Sequence, residues 1–305
     1  MISSEIRWGR YFNFRREAKD LKPLVLQLRP KQWTKNLLVL AAPVFAEKFI
    51  DIHAVLVTIL AFFCFSFAAS TVYILNDILD VEKDRLHPEK SKRPIASGAL
   101  KIRTAIGIGL FLLILSLSTA YWLEPLFAVI LVIYLVVNVL YSIKLKHVVI
   151  IDVMIIALGF VLRGFSGAVV VEVRMTSWFI LCTMLLALFL ALSKRRHELE
   201  LFNGDKQRQR KVLEHYSTGL LDQMISIVTS ATIMSYSLYT ATSGPNALMM
   251  WTIPFVIYGI FRYLYLVHMR EGGGSPEKVL LDDKHILGTV ILFGLTVMII
   301  KIYFQ

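Results

Sequence analysis

The nine residues NDILDVEKD, Asn76 to Asp84, contain three aspartates, a glutamate and an asparagine. They directly follow the apolar run AVLVTILAFFCFSFAASTVYIL, which has no charged residue. On a helix advancing about 100° per residue, Asn76, Asp77, Asp80 and Asp84 share an arc of about 100°, and Glu82 points elsewhere. Carboxylates gathered in this way repel one another by about 3 kcal/mol per pair at roughly 6 Å and an effective dielectric near 20. A divalent cation reverses that sign. Mg²⁺ takes oxygen ligands and keeps positions for water and substrate phosphate. The pattern therefore predicts a Mg²⁺–diphosphate site, with Asn76, Asp77, Asp80 and Asp84 as metal ligands and the three aspartates as the catalytic groups. The competing reading is a charged helix end at a membrane interface, neutralised by Lys83 and Arg85.

The sequel, RLHPEKSKRPIASG (85–98), supplies cations. Lys90, Lys92 and Arg93 are suited to phosphate oxygens, arginine in bidentate fashion. Pro88 and Pro94 stiffen the loop, and Gly98 permits a turn. An acidic cluster beside a basic loop suits a departing diphosphate. A second group lies in SKRRHELELFNGDKQRQRK, where Lys194, Arg195 and Glu198 fall within about 100° and Arg196 faces away. HELEL is not a zinc motif, because Leu201 stands where a second histidine would be needed. In RPKQWTKN, Lys31 and Lys35 are spaced to share a helix face, with Asn36 as a polar neighbour; the three are candidates for phosphate capture. The rival reading is orientation-setting charge with Trp33 as an interfacial anchor. Arg163 lies about 16 Å along a helix from Asp152, near mid-membrane, where it must face protein or a polar cavity. It is a candidate for holding a substrate phosphate, with Gly159, Gly164 and Gly167 allowing close helix approach.

These groups need elements to position them. The chain has 305 residues, 56% of them hydrophobic, and a mean hydropathy of +0.64. A soluble domain carries about 45–50% apolar residues. The excess forms runs of roughly 18–25 residues, long enough to cross a hydrocarbon core of about 30 Å. Nine spans are expected, at roughly 33–50, 54–76, 103–121, 124–143, 150–171, 177–194, 221–242, 247–268 and 285–304. The first is the weakest, interrupted by Pro43 and Glu47. The expected fold is an all-α, nine-helix membrane bundle over 33–305, preceded by a basic cytoplasmic or interfacial segment, 1–32. That segment mixes arginines with Trp8, Tyr11, Phe12 and Phe14, which suits the anionic inner leaflet. No cleavable signal peptide is evident.

Charge sets the orientation. Residues 1–35 carry nine Lys/Arg, 77–103 carry seven and 194–216 carry seven. The alternate connections hold only Lys48 and Arg174 between them. This predicts a cytoplasmic N-terminus, with the long polar loops on the same side. It also accounts for the net charge of +11 without a nucleic-acid partner. The two cysteines, Cys64 and Cys182, lie inside apolar runs and form neither a disulfide framework nor a zinc pattern.

NDILDVEKDRLHPEKSKRPIASG resembles the first aspartate-rich signature, N-D-x-x-D-x-x-x-D, of the UbiA-type intramembrane prenyltransferases. The resemblance covers nearly the whole chain, including the nine-span layout. It implies that Asn76, Asp77, Asp80 and Asp84 bind Mg²⁺ and a diphosphate at the cytosolic mouth of a helical bundle. Aromatic-prenylating members carry a second aspartate pair after the sixth span. Here Asp205 stands alone and the next aspartate is Asp222. The K-R-x-x-E-L segment, LRPKQWTKNLLVLAAPVFA and PEKVLLDD are similar to the decaprenyl-phosphate phosphoribosyltransferase branch. That branch implies 5-phosphoribosyl 1-diphosphate as donor, a polyprenyl phosphate as acceptor, and a role in lipid-linked arabinose supply for the cell wall. Related members also imply that Tyr141 and Lys146 help fix the donor. Asp283 is a weaker candidate.

The expected reaction is attack of the lipid phosphate oxygen on the anomeric carbon, with diphosphate departing. Lys92, Arg93, Lys194 and Arg195 would neutralise phosphates, with Glu198 beside them. One rival is a true prenyltransferase acting on an aromatic acceptor, against which the missing second aspartate pair argues. Another is a transporter or flippase, for which no internal duplication is seen. A bilayer of the cell membrane is the expected location, with the active site on its cytoplasmic side, and a homo-oligomer is compatible with the sequence.

Overall fold

The computed structural model describes residues 22–41, 43, 48, 51–201, 211–242, 247–269, 279 and 282–303. The basic tail before residue 22, Asp205 and the REGGGSPE turn lie outside these. Every extended element among the described residues is helical. Residues 22–28 are α-helical, and the α-helices that follow among the described residues are α1 (Ile52–Leu79), α2 (Val81–Leu86), α3 (Ile102–Leu123), α4 (Pro125–Ile143), α5 (Ile151–Val170), α6 (Ser177–Leu201), α7 (Thr218–Thr242), α8 (Ile253–Met269) and α9 (Lys284–Tyr303).

Seven stretches among the described residues are long and apolar enough to cross a membrane: α1, α3, α4, α5, α6, Ala247–Met269 and α9. Of the nine expected spans, the first begins as a 3-10 helix, Pro30–Leu40, and most of its later part lies outside the described residues. The span expected near 221–242 does form a helix, the 25-residue α7, but it is more polar than the others. Many of its hydroxyls bond back to their own helix, while Thr229 Oγ1 is buried with no hydrogen-bond partner among the described residues. Ser226 donates to Asp222 O, Ser230 to Ser226 O, Thr232 to Val228 O and Ser237 to Ile233 O. Such back-bonding lets a hydroxyl-rich helix sit in apolar surroundings.

The chain divides into two compact units, 1–36 with 62–135 and 37–61 with 136–305. In the first unit, Ile74, Ile95, Leu100 and Ala105 form a core with Leu24 and Leu28 against it. Phe65 stacks on Phe127 and meets Tyr134 edge-on at 4.9 Å. Trp33 Nε1 donates to Leu28 O and Ser70 Oγ, and its ring lies edge-on to Phe63 and Phe67. These contacts strap residues 22–36 along α1. On the lipid side, Phe111 and Ile114 of α3 stand exposed, as expected for a helix solvated by acyl chains.

In the second unit α5 is the most buried span. Small residues, Ala157, Ala187 and Ala191, lie in its core beside Val153, Leu188 and Leu192. Gly164 explains part of this closeness: a Cβ there would sit 3.0 Å from Phe179 Cε1 of α6. Gly164→Val is expected to lower stability by about 1–3 kcal/mol through overpacking, and Gly164→Ala by less, because the Phe179 ring can yield a few tenths of an ångström. Thermal unfolding in detergent micelles measures both.

Candidate functional site

α1 ends where Asp80 leaves helical geometry, at φ −100° and ψ 11°, and α2 restarts at Val81. NDILDVEKD is therefore two helices joined at an aspartate, and Asp77 and Asp84, on either side of the junction, still face one point at Arg93 Nη1. The flanking hydrogen bonds persist, from Asp80 N to Asn76 O and from Asp84 N to Asp80 O, so the bend is slight. Asp77 and Asp84 are buried, at 2% and 3% exposed, while Asn76 and Asp80 are half-buried.

Arginines, rather than Lys83 or Arg85, meet the buried carboxylates. Arg93 Nη1 lies 3.0 Å from Asp77 Oδ1 and 2.6 Å from Asp84 Oδ2. Arg29 Nη2 also reaches Asp77 Oδ1, with its guanidinium 5.0 Å over the Tyr73 ring. Gln27 Nε2 donates to Asp77 Oδ2 at 2.8 Å. Arg85 turns instead to exposed Glu82. His87 Nδ1 accepts from the backbone N–H groups of Glu89 and Lys90, shaping the turn that leads to Arg93. Lys92 is exposed on the same turn. Gln27 and Arg29 are site residues that motif spacing does not reveal. A glutamine inside the apolar run LVLQL was the available signal, because a polar side chain there needs a buried partner.

Lys31 and Lys35 lie on the 3-10 helix, where residues i and i+3 eclipse and i and i+4 do not. Their expected shared face is lost. Lys31 is exposed and Lys35 half-buried. Asn36 is 1% exposed and donates from Nδ2 to Ser66 Oγ, which ties its amide to α1.

In the second unit, Asp152 is fully buried at the start of α5. Its Oδ2 accepts from Arg195 Nε at 2.8 Å and its Oδ1 from the Tyr216 hydroxyl at 2.9 Å. Arg195 Nη1 in turn donates to Glu198. Arg195 and Glu198 thus meet as their spacing predicts. With two carboxylates on one buried guanidinium, Arg195 acts first as a cross-link between α5 and α6. Tyr216 also accepts the Ile150 N–H at 2.7 Å. Burial above all pushes its phenol up to about 12, so it stays a donor to Asp152 at neutral pH. Arg196 turns away to Asp222 and Glu200. Tyr141, Lys146 and Lys194 are half-buried. Arg163 is 6% exposed within α5, its guanidinium 5.3 Å over the Phe160 ring. Asp283 caps α9, where its Oδ1 accepts from His285 N and Ile286 N, and its Oδ2 pairs with Arg262.

Residues 37–280 match the UbiA prenyltransferase family. The chain belongs to that family. A decaprenyl-phosphate phosphoribosyltransferase of Mycolicibacterium smegmatis is 34% identical over 281 residues, 86% of each chain. One from Corynebacterium glutamicum is 34% identical over 276 residues, 86% of this chain and 81% of the relative. Among solved structures, a UbiA homolog from Archaeoglobus fulgidus bound to GPP and Mg²⁺ superimposes with a TM-score of 0.68 at 20% identity, over 89% of this chain and 97% of that one. At that identity the likeness concerns the UbiA fold. The resemblance drawn from the aspartate signature and its branch motifs agrees with these matches, and the chain is a multi-pass membrane protein of a transferase family.

The residues present fit a divalent cation in a particular sense. Among the described residues no three His, Cys, Asp or Glu side chains converge into a ready-made cage. Mg²⁺, however, is commonly held by one or two carboxylates together with substrate phosphates. Two buried carboxylates already joined through one cationic nitrogen, Arg93 Nη1, match that donor set.

Arg93→Ala removes a cation from two buried carboxylates. The expected loss is about 1–3 kcal/mol, less than the roughly 3–5 of a fully buried broken pair, because Arg29 still serves Asp77. Millimolar Mg²⁺ should restore more stability to this variant than to the wild type, as read from melting with Mg²⁺ or with chelator. At the other end of the chain, the hydrogen bond from Arg262 first of all holds the Asp283 carboxyl below its usual range. Its folded value lies below its unfolded one, so its stabilisation is present above about pH 4 and lost as pH falls through the lowered value. Asp283→Asn should therefore melt below wild type at pH 7, with the gap closing under acid.

Proposed function

We propose that this chain transfers a 5-phosphoribosyl group from 5-phosphoribosyl 1-diphosphate to a polyprenyl phosphate and releases diphosphate. The observation that carries the reading is the pair of buried carboxylates, Asp77 and Asp84, joined by partly exposed Arg93 within a chain 34% identical to decaprenyl-phosphate phosphoribosyltransferases. Lipid-linked arabinose supply is the corresponding role.

A lipid phosphate is already anionic near neutral pH, so no strong general base is needed. Its oxygen forms the new bond to the anomeric carbon as the bond from that carbon to the diphosphate oxygen breaks. The electron pair leaves on diphosphate. Arg93 and Arg29 are 30% and 26% exposed at the side chain; they can exchange carboxylate oxygens for diphosphate oxygens with little reorganisation. Mg²⁺, held by Asp77 and Asp84 with Asn76 and Asp80 as further ligands, would neutralise charge on the departing diphosphate. Lys92 adds a mobile-ended cation on the same turn. Lys31 and Lys35 are assigned to phosphate capture, and Asn36 supports them through Ser66. In the second unit, Tyr141, Lys146, Arg163 and Lys194 are assigned to phosphate contacts, and Arg195 and Glu198 to their support. The reading includes nine spans, a cytoplasmic N-terminus and basic segment 1–32, and a site on the cytoplasmic side of the cell membrane.

Purified protein given Mg²⁺, labelled 5-phosphoribosyl 1-diphosphate and polyprenyl phosphate should form a phosphoribosylated lipid and diphosphate. Asp77→Asn and Asp80→Asn should each slow turnover by about 10²–10³-fold. Product only from prenyl diphosphate with 4-hydroxybenzoate would overturn the assignment.

A further inference from the structure

Gln27 stands at the centre of an unexplained cost. It is 2% exposed, in the apolar run LVLQL, beside Leu24 and Leu28 of the first unit's core. Its Nε2 donates to Asp77 Oδ2 at 2.8 Å. A carboxylate only accepts, so the amide nitrogen must face Asp77 and the orientation of the amide is fixed by chemistry. Gln27 Oε1 is then left buried with no hydrogen-bond partner among the described residues. It shares one carbon with Nε2, so it lies within about 5 Å of Asp77 Oδ2. A buried acceptor without a donor destabilises a fold. Methionine at this position would fill similar space without the orphaned oxygen, but would take the Gln27 donor from Asp77 Oδ2. The partners of Asp77 are divided: Oδ1 takes both arginines and Oδ2 takes Gln27.

We propose that Gln27 is a further site residue with two roles. Its nitrogen positions Asp77, and its oxygen accepts a hydrogen bond from an O–H group of the bound ligand. Two sources share that chemistry: water carried on the divalent cation, and a hydroxyl of the sugar donor. The inference rests on the function proposed above.

The test uses the full chain in detergent micelles with Gln27→Met, Gln27→Asn and Asp77→Asn. Asparagine keeps the amide but withdraws it by one methylene, so it serves if the methionine variant folds poorly. In one arm, the melting temperature is followed against Mg²⁺ alone. In the other, KM and kcat are measured with 5-phosphoribosyl 1-diphosphate and with its 2-deoxy and 3-deoxy analogues. If the donor is metal-bound water, Gln27→Met needs about 10-fold more Mg²⁺ for half of the thermal shift. If it is a sugar hydroxyl, the Mg²⁺ response is unchanged and KM for the donor rises about 10-fold at similar kcat. One deoxy analogue then fails to distinguish wild type from variant. A Mg²⁺ midpoint and KM both within about two-fold of wild type, whatever the melting temperature does, overturn the proposal and leave Gln27 a packing residue. Asp77→Asn separates the two levels. If it changes the Mg²⁺ response while Gln27→Met does not, only the role of Gln27 falls. If it leaves the response unchanged, or wild type transfers no phosphoribosyl group, the underlying function falls and takes this proposal with it.

Discussion

Two carboxylates buried a few ångströms from a shared guanidinium are the constraint around which the first unit is arranged. Burying the Asp77 and Asp84 side chains is costly unless their oxygens find partners. The chain meets that demand from two directions. Arg93 arrives from the turn after α2, shaped by His87, and Arg29 from the segment preceding α1. The same demand accounts for the hydrogen bonds that His87 makes within the connection 87–93: a cation must be delivered to a fixed point.

Much of this was legible in the sequence. The apolar runs, the helical class and the acidic motif all follow from composition and spacing, and the motif carried the family resemblance. The failures have local causes. One unbroken helix through NDILDVEKD was expected, and one residue's ψ near 11° divides it at Asp80. The Lys31–Lys35 pairing requires α-helical periodicity where the backbone is 3-10. Gln27 and Arg29 were missed because their partner lies about fifty positions away, and spacing rules see only neighbours.

The second unit shows a different use of buried charge. Asp152, Arg195, Glu198 and Tyr216 satisfy one another, and the tyrosine comes from the connection after α6. A buried pair of this kind contributes little net stability compared with well-packed apolar groups. Its value is directional: it fixes how α5 meets α6 at one end, as Gly164 and Phe179 do further along. Helical spacing pairs Arg195 with Glu198 but cannot show that Asp152, from the start of α5, shares the same guanidinium.

The strap formed by residues 22–36 has a further consequence. Gln27 must reach Asp77 while Trp33, six residues on, bonds Ser70 nearly two helical turns away along α1. Between them, Arg29 takes a left-handed backbone, φ 53°, and is followed by Pro30, which fixes its own φ and narrows the conformations of the residue before it. The segment therefore works as a ruler as well as a tether. Its length is as much a part of the design as its residue types: one residue added or removed between the two anchors would put Gln27 and Trp33 out of step with α1, however well each side chain were kept.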